Sequence, residues 1–410
     1  MPLLALLPAL LAAERALGRL DQALADPVSR RRLDADAARR AAAAVIRLDG
    51  HRLDADDFQR ALAAPEHARG EAARAALLVP VFTQLPRGLI AGGPPEYTAS
   101  RPEPSPATAE SATAVVAAAR ASIAALEALD FGDTDPPDAA GGDAAATPVP
   151  PLTPWTRPWL DEIHRRWSVA LGGRPAGMGE ARAADATPAL EAVTEALASA
   201  PGLLGAAAAI RTLARRPDPG GPERRGNNDD AAASALRILA AAERPAASWW
   251  SVVVWLAAPG LIRDACRLHH AWPALTVALA RDVTGYRLAL AGTESAWTRW
   301  FLDTIPDLVA QELERLRHLV VIQEHWETRL AATPRRSSSR LPDVLDWLHD
   351  RPAFTISRVA SELKSRCGLS LRGVHLLVEQ LAKAGVVRDI ADRGGERVWA
   401  CDLSFLPPGR

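Results

Sequence analysis

Lysine is almost missing from this chain. Lys364 and Lys383 are the only two, so nearly every fixed positive charge is an arginine. A charge excess is missing too, since Lys+Arg 48 against Asp+Glu 49 leaves a net −1. That balance excludes a chain-wide field drawing in nucleic acid or an anionic membrane, so any such affinity must be local. Cysteine is scarce, with Cys266, Cys367 and Cys401 in 410 residues. An odd, small number argues against a disulfide framework and suits a reducing cytosol. Aromatic residues make up 5%, yet 12 are Trp against 2 Tyr and 6 Phe, which leaves tryptophan to anchor much of the core. The densest apolar run, Trp249 to Ala258, stops at Pro259-Gly260. It falls short of the ~20 residues that span a bilayer. The apolar opening Met1 to Leu11 lacks a basic flank and runs on into the amphipathic Ala16 to Leu20, unlike a signal peptide. A soluble cytoplasmic protein with no membrane partner is expected.

Familiar catalytic loops are missing as well. There is no Gly-Lys-Ser/Thr phosphate loop, no Gly-x-Ser-x-Gly, no dinucleotide glycine triplet and no His-Glu-x-x-His pair. Cys266-Arg267-Leu268-His269-His270 gathers a thiol and two imidazoles. A zinc site needs about four ligands, however, and no partner cluster is visible. A buried cysteine beside surface histidines is the expectation, with no metal and no cofactor.

What is present is helical periodicity. In residues 1–92, Leu17, Leu20 and Leu24 share a face, as do Leu33, Ala37, Ala41 and Val45. Leu48-Asp49-Gly50 reads as a helix stop, and the aspartates Asp54, Asp56 and Asp57 offer caps to a helix carrying Phe58 and Leu62. Residues 93–152 are rich in Pro, Gly and Ala and read as a linker holding one Ala-rich helix, 114–129. Residues 153–332 read as a second helical region. Its predicted helices carry Trp159, Ile163 and Trp167, or fall at Trp249–Ala258, Leu275–Leu290, Trp297–Leu302 and Leu308–Leu330. In the last, Val309, Leu313, Leu316 and Val320 form a stripe. No strand pattern occurs before residue 385, so region 153–332 is predicted to be all-α.

A basic linker, 333–340, leads into the most informative part, 341–404. Leu341, Val344, Leu345 and Leu348 define one helix that Pro352 ends, and Thr355-Ile356-Ser357 starts another. Gly368-Leu369-Ser370 makes a turn, with Ser370 placed to cap a third helix that buries Val374, Leu377, Val378 and Leu381. Gly385 closes that helix, and strands at Val386–Ile390 and Arg397–Cys401 flank an Asp392-Arg393-Gly394-Gly395 turn. Helix, helix, turn, helix and hairpin together read as a winged helix-turn-helix. The third helix would enter the major groove of double-stranded DNA. Ser370, Arg372, Gly373 and Leu376 would then face base edges, with Arg393 in the hairpin and Arg336 and Arg340 in the linker meeting phosphates. Basic residues outnumber acidic ones from Arg351 to Asp402, and both lysines lie there. A segment with its own apolar helices and a polar leader is expected to fold alone. A homodimer is an expected partner, and a module used only for protein contacts is the alternative.

The passages Tyr286 to Leu290, Thr298 to Leu302 and Arg336 to Pro342, with the C-terminal module, resemble the C-terminal third of Fic-type proteins. The N-terminal Ala16 to Asp21, Ile46 to Gly50 and Asp56 to Phe58 resemble an uncharacterised, often plasmid-borne bacterial family. Its members join a Fic-like helical N-terminus and a domain of unknown function to a C-terminal helix-turn-helix. The resemblance implies a mainly α fold, a helical Fic-like body followed by a C-terminal winged helix-turn-helix, and a role in transcription regulation. An active Fic enzyme carries a His-Pro-Phe-x-Asp/Glu-Gly-Asn-Gly-Arg loop. Here the Gly-Asn pair is Gly226-Asn227, with no preceding His and no second glycine. The expected body is therefore catalytically degenerate, and a divergent nucleotide transferase working through another loop is the enzymatic alternative.

Overall fold

The computed structural model describes residues 5–48, 50–65, 67–91, 195–197, 200, 202–215, 249–331, 341–367, 369–390, 397–401 and 403. The expectations for residues 93–152, for Trp159, Ile163 and Trp167, and for the Gly226-Asn227 loop lie outside them. The described chain is mainly helical. Its elements run α1 (Leu7–Ala23), α2 (Pro27–Leu48), α3 (Ala55–Ala63), α4 (Gly70–Ala91), α5 (Gly202–Arg215), α6 (Trp249–Cys266), α7 (Leu275–Arg281), α8 (Val283–Ala291), α9 (Glu294–Ala331), α10 (Leu341–Asp350), β1 (Ala353–Thr355), α11 (Ile356–Cys367), α12 (Leu371–Lys383), β2 (Val387–Ile390) and β3 (Val398–Cys401).

The α1 stripe of Leu10, Leu17, Leu20 and Leu24 is buried against α9, as its spacing of three and four requires. Asp54 caps α3 by accepting the Asp57 N–H at 2.9 Å, and Phe58 is fully buried one turn on. Three expectations about helix ends are corrected. The helix from Trp249 does not stop at Pro259-Gly260 but continues to Cys266. An interior proline costs about 3 kcal/mol. Buried Leu261 and Ile262 just beyond it recover about 1.5–3 kcal/mol each. Likewise Trp297–Leu302 and Leu308–Leu330 belong to one 38-residue helix running through Pro306. Phe301, Ile305, Leu308 and Val309 bury one continuous stripe across that proline, although Val320 at the end of the expected stripe is 40% exposed. Conversely, Leu275–Leu290 is broken at Asp282, whose carboxylate accepts the Gly285 N–H at 2.8 Å and caps α8.

A strand, β1, does precede residue 385, although no strand pattern marks it in the sequence. The sheet is antiparallel in the order β1-β3-β2, with Phe354 opposite Trp399 and Ile390 opposite Val398. One face, with Phe354, Val387 and Cys401, joins the main helical core. The other face, with Ala353, Ile390, Val398 and Ala400, is covered by Ala63 of α3.

The described part of residues 341–403 shares a core with the helical body. Leu319, Trp326 and Leu330 of α9 lie in one apolar cluster with Leu341, Leu348, Val374 and Leu381. Arginines stitch the seam. Arg39 donates to the Asp350 carbonyl at 3.3 Å, Arg315 to the Leu403 carbonyl at 2.5 Å and Arg329 to the Gly385 carbonyl at 2.9 Å. In return Arg358 donates to the Leu62 and Ala63 carbonyls, each at 3.1 Å, and Arg388 pairs with Asp56 at 2.7 Å.

Beneath the seam lies a buried ionic network. The Asp36 carboxylate accepts Arg40 Nε at 2.7 Å and both a 2.9 Å and a 2.7 Å bond from Arg315. Glu312 takes Arg40 by two bonds of 2.7 Å. Burial alone would raise the Asp36 carboxyl, but Arg40, Arg315 and Arg39 together hold it well below its usual range. Among the described residues, no helix is long and apolar enough to cross a membrane.

Candidate nucleic-acid interface

The one helix end that sequence spacing marks for recognition is the start of α12. Ser370 is its N-cap, in extended conformation, and its hydroxyl accepts the Gly373 N–H at 3.2 Å. That bond satisfies one of the orphan donors of the first turn and fixes where the helix begins. Val374, Val378 and Leu381 anchor the inner face. Leu377 is only half-buried, slightly off the anchoring line. At the far end Gly385, at φ +67°, reverses the chain, with Val386 N–H reaching the Leu381 carbonyl at 2.8 Å.

With its inner face tied down, α12 presents Arg372, His375, Leu376, Glu379 and Lys383 outward, all exposed. Positions 372, 376, 379 and 383 recur every three or four residues and so form one line along the helix. Among the described residues Arg372 has no hydrogen-bond or ion-pair partner. Leu371 and Leu376 are 55% and 54% exposed. Gly373 is half-buried, and a Cβ there would meet nothing closer than 3.5 Å, so this glycine is not required by packing. Thus Ser370, Arg372, Gly373 and Leu376 come together at one helix end. Arg393, Arg336 and Arg340 lie outside the described residues. His375 and Leu371 were missed in the sequence, though the spacing of Val374, Val378 and Leu381 already implies the outward face that holds His375.

The hairpin beside α12 is half committed elsewhere. Arg388 on β2 is held by Asp56, and Arg397 sits 3.8 Å from Asp389. Other constellations resolve into structure. The backbone N–H groups of His269, His270 and Ala271 converge on the buried Asp21 carboxylate at 3.2, 2.6 and 2.7 Å. Burial pushes the Cys266 thiol well up, which suppresses its thiolate. Among the described residues no group of three His, Cys, Asp or Glu could hold a metal ion. Near the α8–α9 corner, Tyr286 lies 5.8 Å from Trp300 and 6.2 Å from Trp297, ring centre to ring centre. Trp297 Nε1 donates to the Ala207 carbonyl at 2.7 Å.

No protein-family model matches this sequence, and no curated protein gives a match.

Proposed function

We propose that the chain is a cytoplasmic DNA-binding protein that regulates transcription, in which residues 341–404 act as a winged helix-turn-helix carried on a catalytically degenerate Fic-like body. The observation that carries this reading is the outward line on α12. Arg372 stands exposed and unpaired within the first turn of a Ser370-capped helix, beside a β-hairpin. A solvated arginine there is the side chain best suited to bidentate contact with guanine in the major groove. Lys383 on the same line adds a cation without a carboxylate partner among the described residues. Arg393, Arg336 and Arg340 enter the reading as phosphate contacts from the sequence alone. The Fic-like part rests on the Tyr286 to Leu290 and Thr298 to Leu302 passages, which pack against each other through Tyr286 and Trp300. Its degeneracy rests on the missing His-Pro-Phe loop.

The test is selection of bound sequences from random duplex DNA with the full-length chain. Arg372→Ala is expected to cost roughly 1–3 kcal/mol of specific affinity and relax preference at one base position. Arg393→Ala is expected to weaken all duplexes alike and flatten the salt dependence by about one unit of slope. Paired half-sites about 10 base pairs apart would mark a homodimer. Parent protein that binds no duplex, or variants that bind like the parent at low salt, overturn the reading and leave the module to protein contacts.

A further inference from the structure

We infer that Leu376 reads the 5-methyl group of a thymine lying one or two base-pair steps from the guanine that Arg372 contacts. The inference rests on the DNA-binding reading above and names the sequence class that reading would select. Leucine is mostly kept inside among the described residues. Among the described residues only Leu288, Leu371 and Leu376 are exposed leucines, and the last two fall in the first two turns of α12. Leu376 is on the outward line itself, four residues after Arg372 and seven before Lys383, with His375 beside it. Neighbours four apart on a helix have Cβ atoms about 5–6 Å apart. Successive bases along a strand are 3.4 Å apart, so the two side chains address bases about one or two steps apart. An apolar tip in the major groove has one apolar target on the base edges, the thymine methyl. A protein partner would also accept an exposed leucine. Two cations on the line, Arg372 and Lys383, against the one carboxylate of Glu379 leave it net positive, which favours a polyanion as the surface that covers it.

The experiment uses the full-length chain and the duplex it selects. Each thymine is replaced in turn by deoxyuridine, which removes only the methyl group. At one position, within two steps of the guanine whose preference Arg372→Ala relaxes, affinity is expected to fall about fourfold, the transfer value of one buried methyl-sized group. Leu376→Ala is expected to bind the thymine and uracil duplexes equally, and Leu376→Met to restore the discrimination. A flat uracil scan with duplex binding intact overturns the assignment while leaving the DNA reading standing, and so does discrimination that survives in Leu376→Ala. Failure to select any duplex overturns both together. Leu376 is more than half exposed, so unchanged circular dichroism should accompany each variant.

Discussion

The α2–α9 seam and the outer line of α12 use charge in opposite ways. In the seam Asp36, Glu312, Arg40 and Arg315 are removed from water, and each meets a counter-charge at 2.9 Å or less. On α12, Arg372 and Lys383 are left in water with no partner among the described residues. Taking a charge out of water costs several kcal/mol, and only close geometry offsets it. A solvated guanidinium costs nothing to hold and stays available to a newcomer. The lesson is that this arginine-rich composition serves two purposes, and burial, not residue type, separates them.

Breaking the buried side should have the largest effect. Asp36→Ala leaves Arg315 and Arg39 facing Arg40 without their shared carboxylate, an expected loss of about 3–5 kcal/mol in denaturant unfolding. A loss under about 1 kcal/mol would mean that water reaches the network and that the contrast with α12 is false. A second, intermediate effect lies in pH. His349 is fully buried, its ring lies tilted against Trp326 at 5.2 Å between centres, and its Nε2 lies 2.9 Å from Gln323 Oε1. Gln323 gives its own amide to Glu327, so His349 Nε2 carries the proton and donates. Burial, with Arg32 and Arg39 nearby, pushes the imidazole down from 6.5 to about 3. The unfolded chain therefore takes up this proton first. Stability is complete above about pH 6.5 and declines as pH falls toward 3, with a slope approaching about 1.4 kcal/mol per pH unit. Unfolding followed from pH 7 to pH 4.5 should show a flatter profile in His349→Gln, and identical slopes would place a charged imidazole in the core. The smallest effect belongs to the solvated side. Arg372→Ala should shift stability by less than about 0.5 kcal/mol, and a shift beyond about 1 kcal/mol would show that the line packs against something.

Much of the C-terminal segment was legible because local signals agree there. The Ser370 cap, the Val374–Val378–Leu381 spacing and Gly385 at the left-handed position each name the same helix, and the structure has it. Strand β1 was not legible. Three residues show no alternation, and its partner, β3, lies far along the chain. Pro259 is the opposite case, and Pro306 sits in the gap left between two expected helices. A proline is a strong local stop signal, and at both places it is overruled by burial on either side that only the tertiary core reveals. Of the proposed site, the spacing located Ser370, Arg372 and Leu376, but it could not show which hairpin charges the body had already taken. Arg388 is held by Asp56, more than three hundred residues away in sequence.

The seam has one property that bears on inheritance. Arg39, Arg315 and Arg329 grip the C-terminal segment by main-chain oxygens at Asp350, Leu403, Ala384 and Gly385, and Arg358 holds the body by the carbonyls of Leu62 and Ala63. A carbonyl is supplied by every amino acid, so the clasps at Asp350, Leu403 and Ala384 do not depend on the side chain at the position they hold. Gly385, at φ +67° and with Arg329 Nη1 2.6 Å from where a Cβ would sit, is instead held to glycine. Substitutions along the outer line of α12 can then accumulate without loosening the dock. Lineages descending from this chain are free to vary along that line while keeping the same arginines and the same architecture.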